Sequence, residues 1–278
     1  MSAQSVAPPA MRPALKYYGS KVALAGWLIS HFPPHAHYCE PFGGGGAVLL
    51  AKEPSALETY NDLDDGVVTF FRVLRERPAD LVRAIELTPF AKAEFELSYL
   101  PADDDLERAR RFYVRSWQAR SGGQWRAGWR RVKNPAQNRT IDTWQPVDHL
   151  YAIAARLRRV QIEQDDALKV VRRYDRPDTL FYCDPPYPAS TRGRWAKTGY
   201  AVEMTDDDHR RLAETLHGVA GMVVLSGYDC DLYRELYPDW RSETRATTTD
   251  GGFSRVEVLW LNAAAARGGR QPRLLEVL

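Results

Sequence analysis

The tetrad Asp184-Pro185-Pro186-Tyr187 is the segment of this chain whose residue types point most directly to chemistry. It follows the apolar run Thr179-Leu180-Phe181-Tyr182-Cys183, which reads as a strand. Two prolines make a stiff turn without backbone donors, which leaves the Pro185 carbonyl beside the Asp184 carboxylate. Two adjacent acceptors suit an exocyclic amino group with its two donors. Tyr187 offers a ring on which a planar base can stack. A second segment, Gly43-Gly44-Gly45-Gly46, closes a short strand expected near residues 37–40 and lets a ligand approach the backbone ahead of a helix N-terminus. Asp62 lies 19 residues past Gly43, at the end of the next expected strand. Doubly wound nucleotide folds place an acid there for ribose hydroxyls. Neither G-x-G-x-x-G nor G-x-x-x-x-G-K-[ST] occurs, so a standard dinucleotide site and a P-loop ATPase are not indicated.

Between residues 108 and 139 stand ten Lys or Arg and no acid, interleaved with Phe112, Tyr113, Trp117, Trp125 and Trp129. Such a concentration of like charge calls for an anion, and a phosphate backbone is the usual one. Arg115, Arg120, Arg126, Arg130, Arg131 and Lys133 are the candidate DNA contacts, with arginines also able to read guanine edges. His31, His35, His37 and Cys39 invite a metal reading, but no second ligand cluster accompanies them, and no metal is expected. Cys183, on the expected strand, reads as a buried thiol rather than a nucleophile.

These groups need elements to hold them. Strands expected near 37–40, 56–61, 160–163, 179–183, 221–225 and 255–261 alternate with helices near 21–31, 47–51, 64–75 and 206–217. Ser20 is the expected cap of the first helix, and Thr205 with Asp208 forms a capping box at the last. That alternation predicts a mostly parallel α/β sheet with helices on both faces. Residues 77–158 interrupt it with helical patterns and no clear strand, as a helical insertion. Residues 1–14 read as a disordered lead-in and 263–278 as a loose tail.

The composition fits this reading. A chain of 278 residues, 44% hydrophobic and 27% charged, with a net charge of +2, can bury a substantial core. No apolar run reaches membrane-span length and the N-terminal residues lack a signal-peptide core, so no membrane association is expected. Three widely spaced cysteines give no disulfide framework and suit a reducing cytoplasm.

With these residues in order, the sequence resembles the adenine-specific DNA methyltransferases of the Dam-like, D12 class, which use S-adenosylmethionine. The resemblance spans residues 15–262. It rests on Leu15-Lys16-Tyr17-Tyr18-Gly19-Ser20-Lys21, Glu40-Pro41-Phe42-Gly43-Gly44-Gly45-Gly46, Asn61-Asp62, the Asp184–Tyr187 tetrad, and Arg255-Val256-Glu257-Val258-Leu259-Trp260-Leu261-Asn262. It implies a Rossmann-like methyltransferase domain over 15–76 and 159–262, with target recognition in 77–158. It also implies that Tyr17 and Lys21 lie against the cofactor. The loop of Glu40, Pro41, Phe42, Gly43 and Gly45 would wrap the methionine part, Asp62 would take the ribose hydroxyls, and Asp184 would sit between cofactor and amine. Asp166 matches a position near the cofactor's adenine, with Asp165 equally available. Some relatives carry Trp where this chain has Tyr17.

The expected reaction is methyl transfer to N6 of an adenine flipped out of duplex DNA, with Asp184, Pro185, Pro186 and Tyr187 as the catalytic turn. Cytosine-N4 methylation is the nearest alternative, and Asp rather than Ser before Pro-Pro-Tyr leans toward adenine. RNA or a protein amide as acceptor is a further alternative, as is an inactive DNA-binding regulator of the same fold. The intact set of Lys21, glycine loop, Asp62 and Asp184 argues against the last. A monomer or weak dimer is expected.

Overall fold

The computed structural model describes residues 12–120, 128–134, 139–144, 146–191, 202–248 and 254–268. Its centre is a seven-stranded sheet: β1 (His37–Glu40), β2 (Leu57–Asn61), β3 (Val160–Glu163), β4 (Thr179–Cys183), β5 (Met222–Tyr228), β6 (Arg241–Thr248) and β7 (Ser254–Leu261). The strand order is β3-β2-β1-β4-β5-β7-β6. The first five are parallel, while β7 runs antiparallel to both β5 and β6. Chain progression reverses between β1 and β4, which makes the gap above their C-terminal ends the switch point where open α/β sheets bind ligands.

Apolar alternation explains why both faces are covered. Tyr38, Tyr60, Leu180, Tyr182, Met222, Val224, Leu259 and Leu261 enter one core. Their neighbours Cys39, Phe181, Cys183, Val223, Leu225, Val258 and Trp260 enter the other. Successive residues of a strand point to opposite faces, so strands buried on both sides read as continuous apolar runs. On the first face lie α1 (Ala25–Ile29), α2 (Ala47–Ala51) and α3 (Asp65–Glu76), then α4 (Pro78–Glu86), α6 (Asp105–Gln118), α7 (Arg139–Trp144) and α8 (His149–Leu157), with α5 (Lys92–Leu97) packed on α6. The second face carries α9 (Ala167–Tyr174), α10 (Asp206–His217) and α11 (Asp231–Leu236), and the chain continues into α12 (Ala263–Arg267) on the first.

The helical residues 77–158 are continuous with the sheet's own core. Phe70 of α3 stacks on Tyr113 of α6 at 6.1 Å between ring centroids, and Tyr113 meets Trp144 at 5.5 Å. Among the described residues, the insertion's only β pairing is the bridge Ala119–Trp129.

Several boundaries differ from expectation. The helix expected over 21–31 is limited to α1; Ser20 does not cap it, and Val22 is 45% exposed. The preceding residues instead turn into the cleft, with Gly19 at φ 74°. The lead-in is packed from residue 12: Arg12 lies 4.6 Å over the Trp117 ring, and Ala14 is buried. The tail begins as α12, capped by Asn262, whose side chain also bonds Val223 and Gly221, with Ala265 buried. Strand β6 and helix α11 were not anticipated, since β6 is charged and alternates only weakly. The capping box of Thr205 and Asp208 on α10 forms as expected.

Candidate active site

The loop after β1 is built to present backbone. Gly44 and Gly46 have φ of 48° and 65°, conformations that side chains disfavour. A Cβ on Gly43 would stand 2.1 Å from the Tyr60 ring. Tyr60 donates its hydroxyl to Gly44 O at 2.7 Å, and Gly43 N donates to Asn61 O at 2.8 Å. Asp62, at the end of β2, accepts from Gly44 N at 2.7 Å and from Asp64 N at 2.8 Å. Burial pushes its carboxyl up to about 6, with those backbone donors pulling the other way. Asn61 Nδ2 links Pro41 O at 2.9 Å to Asp165 O at 3.0 Å, tying the turns after β1 and β3 together.

Beside this loop, Asp184 ends β4 with both carboxylate oxygens engaged. Oδ2 pairs with Lys21 Nζ at 2.8 Å, and Oδ1 accepts from Ser226 Oγ at 2.9 Å. Ser226 spends its only proton on Asp184, so Tyr182, 3.1 Å away, must donate to Ser226. Lys21 also donates to Gly19 O at 3.0 Å and lies 4.8 Å over the Tyr187 ring. Tyr187 donates its hydroxyl to the buried Glu257 and meets Tyr228 edge-on at 4.7 Å. Its ring is 5% exposed, so stacking of a base on it requires the ring to be uncovered. Pro186 lines the cleft, whereas Pro185 is buried.

One cleft joins these groups. Its walls include Tyr17, Lys21, Glu40, Pro41, Phe42, Gly43, Gly45, Asp62, Asp166 and Asp184, which is every residue expected at the cofactor. Tyr17 packs over the glycines and donates to Asp64 at 3.4 Å. Asp166 caps α9 from the cleft wall, while Asp165 pairs with Arg173 at 2.6 Å and lies outside the lining. Glu40 is 2% exposed, and its Oε2 has no hydrogen-bond partner among the described residues. Burial and then the Asp184 charge push its carboxyl well up. An orphaned acceptor, a second carboxyl at the C-terminal end of the neighbouring strand and a bare glycine backbone suit an elongated ligand with cationic and hydroxyl donors.

Ser226 and Glu257 were missed as site residues by sequence reasoning. Their signal is parity: both share a sheet face with Tyr182 and Leu259, so each is a polar residue at an inward strand position. Cys183 faces the other core, and burial pushes its thiol up, which removes it as a nucleophile.

The basic stretch divides. Arg108 pairs with Asp65 and Asp105, and Arg110 pairs with Glu94 and Glu107, at 2.6–2.7 Å where those of Arg110 are concerned. Arg111 pairs with Glu107 at 2.7 Å. These acids lie outside residues 108–139, so part of the charge is offset within the fold. Arg115 turns inward, 5.3 Å from the Phe112 ring and 5.5 Å from Tyr99. Arg120, Arg131 and Lys133 are exposed and Arg130 is half-buried. Arg120 N donates to Gly128 O at 2.9 Å and Arg130 N to Gln118 O at 2.8 Å, which brings both sides of 121–127 together. Arg126 and Trp125 lie outside the described residues.

No helix among the described residues is long and apolar enough to cross a membrane, and no group of three or more His, Cys, Asp or Glu there could hold a metal ion.

Residues 17–250 match the family model of the D12 class N6 adenine-specific DNA methyltransferases. A type II methyltransferase of Methanocaldococcus jannaschii is 23% identical over 265 residues, covering 82% of this chain and 88% of that protein. The retron Ec67 DNA adenine methylase of Escherichia coli is 25% identical over 250 residues, covering 82% and 81%. The DNA adenine methylase of Salmonella typhi is 24% identical over 245 residues, covering 81% and 84%.

Proposed function

The chain belongs to the D12 class of N6 adenine-specific DNA methyltransferases, and from that membership we propose how its residues divide the work. S-adenosylmethionine, when bound, supplies a methyl group made electrophilic by its sulfonium. Glu40 Oε2 accepts from the methionine ammonium, and Pro41, Phe42, Gly43 and Gly45 line that part. Asp62 accepts from the ribose hydroxyls, Asp166 faces the adenine, and Tyr17 packs alongside with Lys21.

The observation that carries this reading is Asp184, pinned through both oxygens by Lys21 and Ser226 and opening on the same cleft as the glycine loop. A carboxylate has about four acceptor sites, so two remain after these contacts. The target amine's lone pair is delocalised into its ring and is a poor nucleophile. Asp184 and the Pro185 carbonyl accept its two N–H bonds and favour a tetrahedral nitrogen whose lone pair faces the cleft. The work is alignment and charge placement, since nitrogen becomes cationic on transfer and releases its proton afterwards. Within the stack the amine is out of reach, so the adenine must be flipped from duplex DNA. Arg120, Arg126, Arg130, Arg131 and Lys133 hold the duplex, and Arg115 supports them from within. The cytoplasm, where Cys39 and Cys183 stay reduced, is the compartment of action.

The test uses unmethylated duplex DNA and methyl-labelled cofactor, followed by digestion to nucleosides. Label should appear in N6-methyladenine. Asp184→Ala should abolish it in a variant that still folds and binds DNA, with a melting temperature lowered by the loss of the Lys21 partner. Label in N4-methylcytosine, or variant activity above a few per cent of wild type, overturns the assignment.

A further inference from the structure

The turn after β4 lacks backbone donors at two successive positions, so side chains at its ends must fix it. One end is held through Asp184 by Ser226 and Lys21. The other end rests on Glu257, which accepts the Tyr187 hydroxyl. Lys21 closes the circuit: its Nζ lies 2.8 Å from Asp184 Oδ2, 3.9 Å from Glu257 Oε1 and 4.8 Å from the Tyr187 ring centroid. Glu257 is 2% exposed. It stands opposite Tyr228 on β5 and Arg245 on β6, so two strand ladders fix its place rather than a loop. Burying an acid on an inward strand position is costly unless its partners compensate. Here both partners, Lys21 and Tyr187, belong to the catalytic turn's surroundings.

We propose that Glu257 is a positioning residue for methyl transfer: through the Tyr187 hydroxyl, with Lys21 between, it holds the Pro185-Pro186 turn so that the Asp184 carboxylate and the Pro185 carbonyl keep the spacing the target amine needs. The inference deepens the reading of Asp184 as the amine acceptor and rests on it. A purely structural Glu257 would act differently, lowering folded fraction and ligand affinity together.

Single-turnover methylation of unmethylated duplex DNA separates the two roles when measured with cofactor affinity, DNA affinity and melting temperature. Glu257→Ala and Tyr187→Phe should each slow transfer on the order of tenfold, the rate equivalent of one hydrogen bond to a charged group. Both affinities should stay within about threefold of wild type. The double variant should be no slower than the slower single, because both changes remove one contact. Glu257→Gln, which keeps an acceptor, should recover most of the rate. The proposal is overturned if Glu257→Ala stays within about twofold of wild type, if the two effects multiply, or if affinity falls as far as rate. Should Glu257→Ala not fold, Tyr187→Phe carries the test by itself: transfer within about twofold of wild type, or affinities that fall as far as the rate, again overturns the proposal. Wild-type protein that methylates no adenine sinks the functional reading instead, so the two failures are distinct.

Discussion

Replacing Asp62 by Asn isolates a carboxyl that the fold holds in an unfavourable state. Its pKa is raised from an ordinary 3.8 to about 6 by burial, although two backbone N–H groups donate to it. That difference corresponds to at most about 3 kcal/mol. The folded state binds the proton more tightly than the unfolded chain does. The stabilising contribution is therefore full below about pH 4 and is lost as pH rises through about 6. Asn has no such titration, and with one acceptor for two donors it carries a roughly constant deficit of about 1 kcal/mol. Chemical denaturation of both proteins from pH 4 to 7.5 should show the stability difference moving in favour of Asn by up to about 3 kcal/mol across that range. Hydroxyl donors from S-adenosylmethionine favour the ionised form, so wild-type cofactor affinity should rise with pH through 6 and that of Asp62→Asn should not. Parallel stability curves for the two proteins would refute the assigned carboxyl, and parallel affinity curves would move the ribose elsewhere.

Gly43→Ala must displace the buried Tyr60 ring and its bond to Gly44, at a cost of about 2–4 kcal/mol read as a lowered denaturation midpoint, with Tyr60→Leu in the same chain recovering part of it. Glu58, 1% exposed, pairs with Lys52 at 2.7 Å and with Arg156. Glu58→Gln strands two half-compensated cations and should cost about 3–5 kcal/mol by the same measurement, a loss under 1 kcal/mol contradicting it. In a salt titration of duplex binding, alanine at Arg120, Arg131 or Lys133 should each reduce the slope of log affinity against log salt by about one if that residue contacts phosphate. Unchanged slopes for all three would make this surface merely solvated.

The gathering of the glycine loop, Asp62 and Asp184 at one cleft was readable because each signal is local in sequence. Four glycines, a strand-end acid and Asp-Pro-Pro-Tyr each carry their meaning within a few residues, and parallel α/β alternation puts them at one sheet edge. What was not readable depends on distant pairing. Ser226 acquires its role only when β5 lies beside β4, and Glu257 only when β7 enters beside β5 and meets Tyr187. The charge excess of 108–139 looked uncompensated because Asp65 and Glu94 lie outside that window. Residues 12–14 read as part of a free end because nothing local announces that Trp117 and Pro146 receive them.

The place of β7 has a consequence for when the protein becomes competent during its synthesis. Among the described residues this strand is the last to be made, yet it lies between β5 and β6, both of which precede it. A nascent chain that has already delivered the glycine loop, Asp62, Asp184 and Ser226 still has an open seam beside β5. Because side chains alternate along a strand, β7 arriving one residue out of register would offer Val256 or Val258 where Glu257 belongs. On the proposed role of Glu257, activity reports correct closure of that seam.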